Sequence, residues 1–300
     1  MKNKIFKGIM SALVTPLDEN GKLRVDAVQK LIDWQLSKGI NGFYICGGTG
    51  EGPVLGKHIR MEMAEVAVDV CRGRAKIIDH IGSINMDDVV ELTEHANRIG
   101  VDALSSLPPN FYFHHSEEEL IDYYKKISDH TDKPIIVYAT GMLGGMDVCG
   151  LMEKLIHVPH IIGAKYTMPD YYLMHRLSEL NGGDINIING PDETLLCGLI
   201  MGADGGIGTT YNLIPDYYVH IYDAYKAGDI EEAKKWQFKA NRIIEILIRR
   251  SSYGAIGAVK EALTFMGLDA GHAAAPSKPM LKENVGALMK ELQTAGFEWS

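Results

Sequence analysis

A lysine closes an apolar stretch of the chain. In IIGAKYTMPD, residues 161–170, four apolar or small residues lead directly into Lys165. Burying an unpaired ammonium group is costly because its charge loses water. Apolar surroundings favour the neutral amine, which can attack a ketone and form a Schiff base. The pattern therefore indicates a nucleophilic Lys165, and a surface lysine just past a strand end is the alternative.

A tyrosine lies near the end of the preceding apolar run. Tyr138 belongs to PIIVYAT, residues 134–140. If the two runs are neighbouring parallel strands, the phenol lies near Lys165, and a phenol can both donate and accept a proton. Tyr138 is therefore a candidate acid/base, with aromatic packing as the alternative.

The glycine-rich segment GGTGEG, residues 47–52, has the composition of an anion-binding loop. No GxGxxG frame fits it, and the Walker A pattern fails because Glu51 and His58 occupy its Gly and Ser/Thr positions. Glycines at a strand-to-helix turn let backbone N–H groups approach an anion. The segment therefore suits a carboxylate as well as a phosphate, and a tight turn with a purely steric need for glycine is the alternative.

The remaining motifs and the composition exclude several classes of function. No HExxH motif or Cys/His set is present, so we expect no catalytic metal and no cofactor. The net charge of -9, without a cluster of Lys and Arg, argues against a nucleic-acid partner. No apolar run is long enough for a bilayer, so we expect no membrane partner. The four cysteines lack CxxC spacing and no signal peptide is recognisable, which predicts a cytoplasmic protein.

The elements that position these residues alternate along the chain. Short apolar runs separate longer amphipathic stretches, and the predicted strands are 8–17, 42–47, 75–82, 102–109, 134–140, 161–167, 185–190 and 205–210. Eight strand–helix repeats predict a (β/α)8 TIM barrel over residues 1–228. The helical patterns of residues 229–300 predict a C-terminal helical extension packed on the barrel as one structural unit. An open doubly wound sheet is the alternative, but the even strand spacing favours closure.

In a barrel of this kind, chemistry lies at the C-terminal ends of the strands. The polar segments there are GGTGEG, the end of PIIVYAT, the AKYT of residues 164–167, NGPDE of residues 189–193 and GTT of residues 208–210. They come from separate parts of the sequence and should meet at one mouth. Helix boundaries follow the usual signals, with Asp26, Ser116 and Asp170 as predicted N-caps and Gly39 and Gly100 as predicted stops.

Four motifs carry a family resemblance: GGTGE at 47–51, IVYAT at 136–140, GAKYT at 163–167 and GADGGIGTTYN at 202–212. Their order and spacing resemble the class I pyruvate aldolases related to dihydrodipicolinate synthase and N-acetylneuraminate lyase, over nearly the whole chain. The resemblance implies a barrel that assembles as a homotetramer and acts on a small-molecule 2-keto acid. Lys165 matches the lysine that forms a Schiff base with pyruvate, and Tyr138 matches the tyrosine that moves protons. Gly48 and Thr49 match the loop that holds the pyruvate carboxylate, and Tyr112 matches a tyrosine lent to a neighbouring subunit's site.

Details of the motifs resemble the lyase branch of this family. Leu143 stands where the synthases carry an arginine that grips a second carboxylate. In INGPDETL, Asp192 and Glu193 match residues that bind a polyhydroxylated sugar tail, and further lyase ligand positions are matched by Thr167, Gly190 and Thr209. The resemblance thus implies cleavage of N-acetylneuraminate to pyruvate and N-acetylmannosamine. The alternatives are an aldolase or dehydratase of another 2-keto-3-deoxy sugar acid, and a non-catalytic ligand-binding barrel.

Two residues depart from the family pattern. Gly48 replaces the usual Ser or Thr, and Ala139 replaces the Asn that normally follows the tyrosine. Both departures leave Lys165 and Tyr138 in place, so the Schiff-base chemistry is expected to be intact. They leave the identity of the sugar acid open.

Overall fold

Eight parallel strands close into a barrel in chain order, with β1 paired to β8. The computed structural model describes residues 2–109, 113–143, 145–250 and 254–299. The strands are β1 (Gly8–Ala12), β2 (Gly42–Ile45), β3 (Lys76–His80), β4 (Ala103–Ser106), β5 (Ile135–Thr140), β6 (Ile161–Thr167), β7 (Asn186–Asn189) and β8 (Gly205–Gly208). Each lies within a predicted strand, so the predicted (β/α)8 barrel is confirmed. The first strand is shorter than expected and ends at Ala12.

A helix follows each strand. These helices are α1 (Val25–Ser37), α2 (Lys57–Cys71), α3 (Met86–Ile99), α4 (Glu117–Ser128), α5 (Val148–Leu155), α6 (Tyr171–Glu179), α7 (Leu195–Ile200) and α8 (Pro215–Lys226). The extension contains α9 (Ile230–Arg250), α10 (Gly254–Phe265) and α11 (Lys282–Thr294). Helix α9 packs against α7 and α8, and α10 and α11 pack against α9. The division into domains at residue 228 stays a prediction.

Local capping signals account for several helix boundaries. Ser116 forms a capping box with the third residue of α4, and the Asp170 side chain accepts a hydrogen bond from a first-turn backbone N–H of α6. Gly100 ends α3 with a φ of 84°, a left-handed conformation that glycine adopts without steric cost. The prediction for Asp26 is wrong, because α1 begins after Arg24 and Asp26 lies in its first turn. A carboxylate there still interacts favourably with the helix dipole.

Strand residues divide between the barrel interior and the layer under the helices, as alternation along a strand requires. The interior cluster consists of Phe6, Met10, Ala12, Tyr44, Ile78, Ala103, Ile136, Ile188 and Ile207, with Tyr138 and Ile162 packed against it. A much larger cluster fills the space between strands and helices. The interior is therefore a packed core. The polar side chains lie at the end of the barrel formed by the C-terminal ends of the strands. Within the described residues, no helix has the length and apolar character needed to span a membrane.

Candidate active site

Lys165 and Tyr138 are direct neighbours across β5 and β6. The register pairs Tyr138 with Lys165 and Thr140 with Thr167. It shifts by one residue at the start of the strands: Ile135 pairs with Ile161, and the next residue of β5 pairs with Gly163. An unshifted register would place Ala164 beside the tyrosine. The bulge therefore brings the predicted nucleophile level with the predicted acid/base.

The Lys165 side chain is buried among aromatic rings. It is 5% exposed, and its Nζ lies 4.1 Å from the ring centroid of Tyr138 and 4.5 Å from that of Tyr44. Ring faces are electron-rich and attract a cation at these distances, yet they provide no proton acceptor of carboxylate strength. The amine thus lies in a largely apolar pocket at the mouth of the barrel. A carbonyl substrate would have to enter this pocket to reach it.

Sequence reasoning missed two interior residues of this pocket, Tyr44 and His80. The Tyr44 hydroxyl donates to Ser105 Oγ at 3.0 Å, and that hydroxyl donates to the Ile136 carbonyl at 2.7 Å. The Tyr44 and Tyr138 rings meet edge to face with centroids 6.0 Å apart. Only the alternation along β2 and β3 could have signalled these residues, because it assigns Tyr44 and His80 to the interior face.

His80 is neutral beside the lysine. Burial and, to a lesser extent, the nearby charges of Arg60 and Lys165 lower the pKa of His80 to about 3. Its Nε2 accepts a hydrogen bond from Leu107 N at 3.0 Å, so the neutral ring carries its proton on Nδ1. Its ring packs edge-on against Tyr138 with centroids 6.2 Å apart. His80 therefore shapes the pocket without adding a positive charge to it.

Gly48 and Thr49 lie in the loop after β2, above the barrel mouth. Thr49 Oγ1 lies 2.7 Å from Thr209 Oγ1, so a hydrogen bond joins this loop to the one after β8. The α-helix that follows begins only at Lys57. The expected helix N-terminus is therefore not next to Gly48, and the loop offers backbone N–H groups and the Thr49 hydroxyl instead.

The five residues predicted to bind a sugar tail line one cavity. It has a volume of about 500 Å³ and is bounded on the strand side by Thr167, Gly190, Asp192, Glu193 and Thr209, and on the side of the C-terminal extension by Ile244, Leu247, Ile248 and Ala255. Thr167 Oγ1 has no hydrogen-bond partner within the described parts of the chain. A Cβ on Gly190 would lie 1.9 Å from that oxygen, so glycine is required for the hydroxyl to be there.

The two acidic residues of this cavity differ in their surroundings. Asp192 Oδ2 accepts hydrogen bonds from Thr210 N and Thr210 Oγ1, both at 2.6 Å, and Oδ1 accepts one from Thr209 N at 3.2 Å. Burial raises the pKa of Asp192 to about 6, against the lowering effect of these bonds. Glu193 is exposed on the cavity wall. Asp192 therefore organises the loop after β8, and Glu193 is the more accessible hydrogen-bond acceptor for a ligand.

The structure also shows the surroundings of Gly48, Ala139 and Leu143, which differ from the family pattern or from its synthase branch. Ala139 is fully buried and faces the helix layer, away from Lys165. Leu143 is 2% exposed in the same layer and provides no charge for a second carboxylate. An ideal Cβ on Gly48 meets no heavy atom within 4 Å. Tyr112, the predicted neighbour-subunit tyrosine, lies outside the described residues.

The described residues contain no group of three or more His, Cys, Asp or Glu side chains that could hold a metal ion. The polar residues at the mouth are hydroxyls from several strand ends, a lysine on β6 and two carboxylates after β7. This set can bind a hydroxylated anion and supply an amine nucleophile with a phenol beside it.

Comparison with known proteins agrees with this geometry. The chain is 36% identical over 284 residues to the N-acetylneuraminate lyase of Rhizobium meliloti, covering 94% of this chain and 93% of that protein. The structure of Proteus mirabilis N-acetylneuraminate lyase superposes with a TM-score of 0.92 at 27% identity, covering 98% and 99% of the two chains. A catalytic lysine mutant of Ruminococcus gnavus sialic acid aldolase superposes with a TM-score of 0.92 at 27% identity, covering 99% and 97%. The dihydrodipicolinate synthetase family matches residues 5–295, and the chain therefore belongs to that family.

Proposed function

We propose that this protein is a class I aldolase that cleaves N-acetylneuraminate into pyruvate and N-acetylmannosamine through a Schiff base on Lys165. The observation that carries the proposal is the buried Lys165 amine, level with Tyr138 and 4.1 Å from its ring centroid at the mouth of the barrel. The relatives named N-acetylneuraminate lyase support the choice of substrate.

The chemistry follows from the amine and the phenol. The neutral Lys165 amine attacks the C2 carbonyl, water leaves and an iminium forms. The iminium accepts the electron pair of the C3–C4 bond as the C4 hydroxyl loses its proton, which releases the aldehyde and leaves an enamine. Protonation of the enamine at C3 and hydrolysis then release pyruvate and restore the amine. Tyr138 is the acid/base for these transfers because its phenol is beside the amine.

Substrate recognition divides between two regions of the mouth. Gly48 and Thr49 hold the carboxylate of the pyruvate moiety with backbone N–H groups and a hydroxyl. The sugar chain occupies the cavity of about 500 Å³, where its hydroxyls meet Thr167, Gly190, Asp192, Glu193 and Thr209. Leu143 supports the lyase over a synthase, because no cation is present there for a second carboxylate.

A second substrate is favoured by one observation. The space beside Gly48 is open, since a Cβ there meets nothing within 4 Å. That space would admit a different group next to the pyruvate methyl or the leaving aldehyde. The alternative function is therefore an aldolase or dehydratase of another 2-keto-3-deoxy sugar acid, with the same Schiff base on Lys165.

Assembly as a homotetramer in the cytoplasm completes the proposal. Exposed apolar side chains after β2, β3 and β4 support a subunit interface: Val54, Ile84 and Phe113 are 56%, 74% and 69% exposed. The loops after β2, β3 and β4 follow neighbouring strands, and a contiguous exposed apolar patch usually marks a contact with another protein. Tyr112 would contribute to a neighbouring subunit's site across this interface. Ile84→Glu should lower the mass measured by multi-angle light scattering, and an unchanged mass would remove this region from the interface.

Borohydride trapping tests the mechanism. Pyruvate followed by borohydride should leave a reduced adduct on Lys165, because only an iminium is reduced to a stable amine under these conditions. Intact-mass and peptide analysis locate the adduct, and Lys165→Ala should abolish it. An adduct on another lysine, or none on the wild-type enzyme, would refute the mechanism. Pyruvate release across a panel of 2-keto sugar acids then decides between the two substrate candidates.

A further inference from the structure

A buried ion pair joins the C-terminal extension to the loop after β2. Lys260 on α10 donates from Nζ to Glu51 Oε2 at 2.8 Å, and the two side chains are 0% and 8% exposed. The same Nζ donates to the Thr15 carbonyl at 2.8 Å. Thr15 Oγ1 in turn donates to the Gly50 carbonyl at 2.6 Å. One cation therefore connects α10, the segment after β1 and the glycine-rich loop.

Both carboxylate oxygens of Glu51 are bound by the extension. While Oε2 accepts from Lys260, Oε1 accepts from Ala274 N at 2.5 Å. The Glu51 backbone is left-handed, with φ 58° and ψ 18°. Residues other than glycine rarely adopt this conformation, and it persists where surrounding contacts impose it. The contacts from Lys260 and Ala274 hold Glu51 in this conformation.

Gly48 and Thr49, the proposed carboxylate site, lie just before Glu51 in the chain. Glu51 N donates to the Gly48 carbonyl at 3.0 Å, which closes the turn over Thr49. On the other side, Thr49 Oγ1 is 2.7 Å from Thr209 Oγ1. The segment from Gly48 to Thr49 is therefore hydrogen-bonded to Thr209 on one side and to Glu51 on the other, and Lys260 is one of the two groups that bind the Glu51 carboxylate.

A buried ion pair contributes little net stability to a fold, because the cost of removing its charges from water offsets their attraction. Removing two charges from water is costly, and apolar residues of similar volume often stabilise a fold as well. Burial lowers the pKa of Lys260, and the Glu51 carboxylate opposes that effect. The charge of the lysine thus depends on its partner, so the pair acts as a unit whose geometry is set by both residues.

We propose that Lys260 is a positioning residue for the keto-acid carboxylate: acting through Glu51, it holds the Gly48–Thr49 backbone in the orientation that binds the anion. The inference rests on the proposed function, because it takes pyruvate as the ligand of this loop. The C-terminal extension would then take part in binding the pyruvate end of the substrate, and it also provides the apolar wall of the sugar cavity.

The test is Lys260→Met, which keeps the length of the side chain and removes its charge. Borohydride trapping is measured over a range of pyruvate concentrations, together with kcat and KM for N-acetylneuraminate. We expect the half-saturating pyruvate concentration and KM to rise about tenfold and kcat to stay within about twofold. The reason is that the contact to the carboxylate is equally strong in the ground state and in the transition state, so its loss weakens binding without slowing the chemical step. Loss of fold alone would lower the active fraction and leave KM unchanged.

Lys4→Met is the matched control. Lys4 pairs with Asp204 at 3.0 Å, the two side chains are 13% and 11% exposed, and the pair lies at the opposite end of the barrel, before β1 and β8. This variant also removes a largely buried lysine–carboxylate pair. We expect it to lower the melting temperature without changing the half-saturating pyruvate concentration.

The double variant Lys260→Met/Glu51→Gln provides a second route if Lys260→Met does not fold. It removes both buried charges together, so that neither is left unpaired, and it breaks the ion pair between α10 and the loop after β2. We expect a rise of about tenfold in half-saturating pyruvate, with kcat retained. If wild-type enzyme is trapped normally but the folded variants bind pyruvate as wild type does, Lys260 is only structural and the proposal is overturned. Absence of any adduct on wild-type enzyme would instead refute the proposed function, and this inference with it.

Discussion

Replacing Gly48 with serine tests how the loop after β2 binds a carboxylate. An ideal Cβ on Gly48 meets no heavy atom within 4 Å, and the φ of Gly48 is not in the left-handed region. Serine should therefore fit without moving the backbone. Gly52 in the same loop is different, because a Cβ there would lie 1.8 Å from the Cys46 carbonyl. Glycine at position 48 is thus not a steric requirement of the loop.

The expected magnitude follows from one added hydrogen bond. A neutral hydrogen bond contributes about 1 kcal/mol and one to a charged group up to about 3 kcal/mol. Gly48 is exposed, so water competes for the carboxylate and the lower value applies. We therefore expect Gly48→Ser to lower the half-saturating pyruvate concentration about fivefold, which corresponds to about 1 kcal/mol.

The assay is borohydride trapping at increasing pyruvate concentrations, with turnover of N-acetylneuraminate measured in parallel. Gly48→Ala is the matched control, because it adds the same Cβ without a hydroxyl and should leave pyruvate affinity unchanged. The reasoning is refuted by a Gly48→Ser variant that folds normally, binds pyruvate no better and loses most of its turnover. That result would show that the open space serves the true substrate, and it would favour another 2-keto-3-deoxy sugar acid.

Glu193→Gln should raise KM for the sugar acid severalfold and leave pyruvate trapping unchanged, since its carboxylate lies on the wall of the cavity proposed to bind the sugar; equal loss of both would assign it a structural role. Asp192→Ala should also raise that KM, but it should lower the melting temperature as well, because Thr210 N and Oγ1 lose their acceptor. Burial raises the pKa of Asp79 from its ordinary value of 3.8 to about 7, against the lowering effect of Arg60, so the fold favours the protonated acid. The stability that depends on this proton is fully present below about pH 4 and is lost progressively as pH rises to about 7. Thermal unfolding of Asp79→Asn should therefore show stabilisation at pH 8, on the order of 1 to 4 kcal/mol, and little change at pH 4; equal melting curves at both values would contradict the buried, protonated state.

The local sequence pattern was sufficient to predict the strands and helices, and to predict that Lys165 and Tyr138 are neighbours. Strands buried on both faces read as short apolar runs between amphipathic helices, so all eight were predictable. Closure of a parallel barrel brings every C-terminal strand end to one mouth. Lys165 and Tyr138, near the ends of consecutive strands, were therefore expected to be neighbours, and the five predicted sugar-binding positions were expected to converge.

Other features were decided only by the tertiary structure. The one-residue shift that puts Lys165 rather than Ala164 beside Tyr138 depends on how two strands pack against each other, and neither strand alone encodes it.

By itself, the sequence determined the barrel, the order of its strands and the proximity of the candidate nucleophile to its tyrosine, because alternation and strand ends are local properties of the chain. The tertiary structure decided that Asp192 binds the loop after β8 with both of its oxygens. It also decided that Lys260 meets Glu51, although the two residues are 209 positions apart. The physical reason is that burial and ion pairing depend on which distant segments pack together, and local periodicity carries no information about that choice.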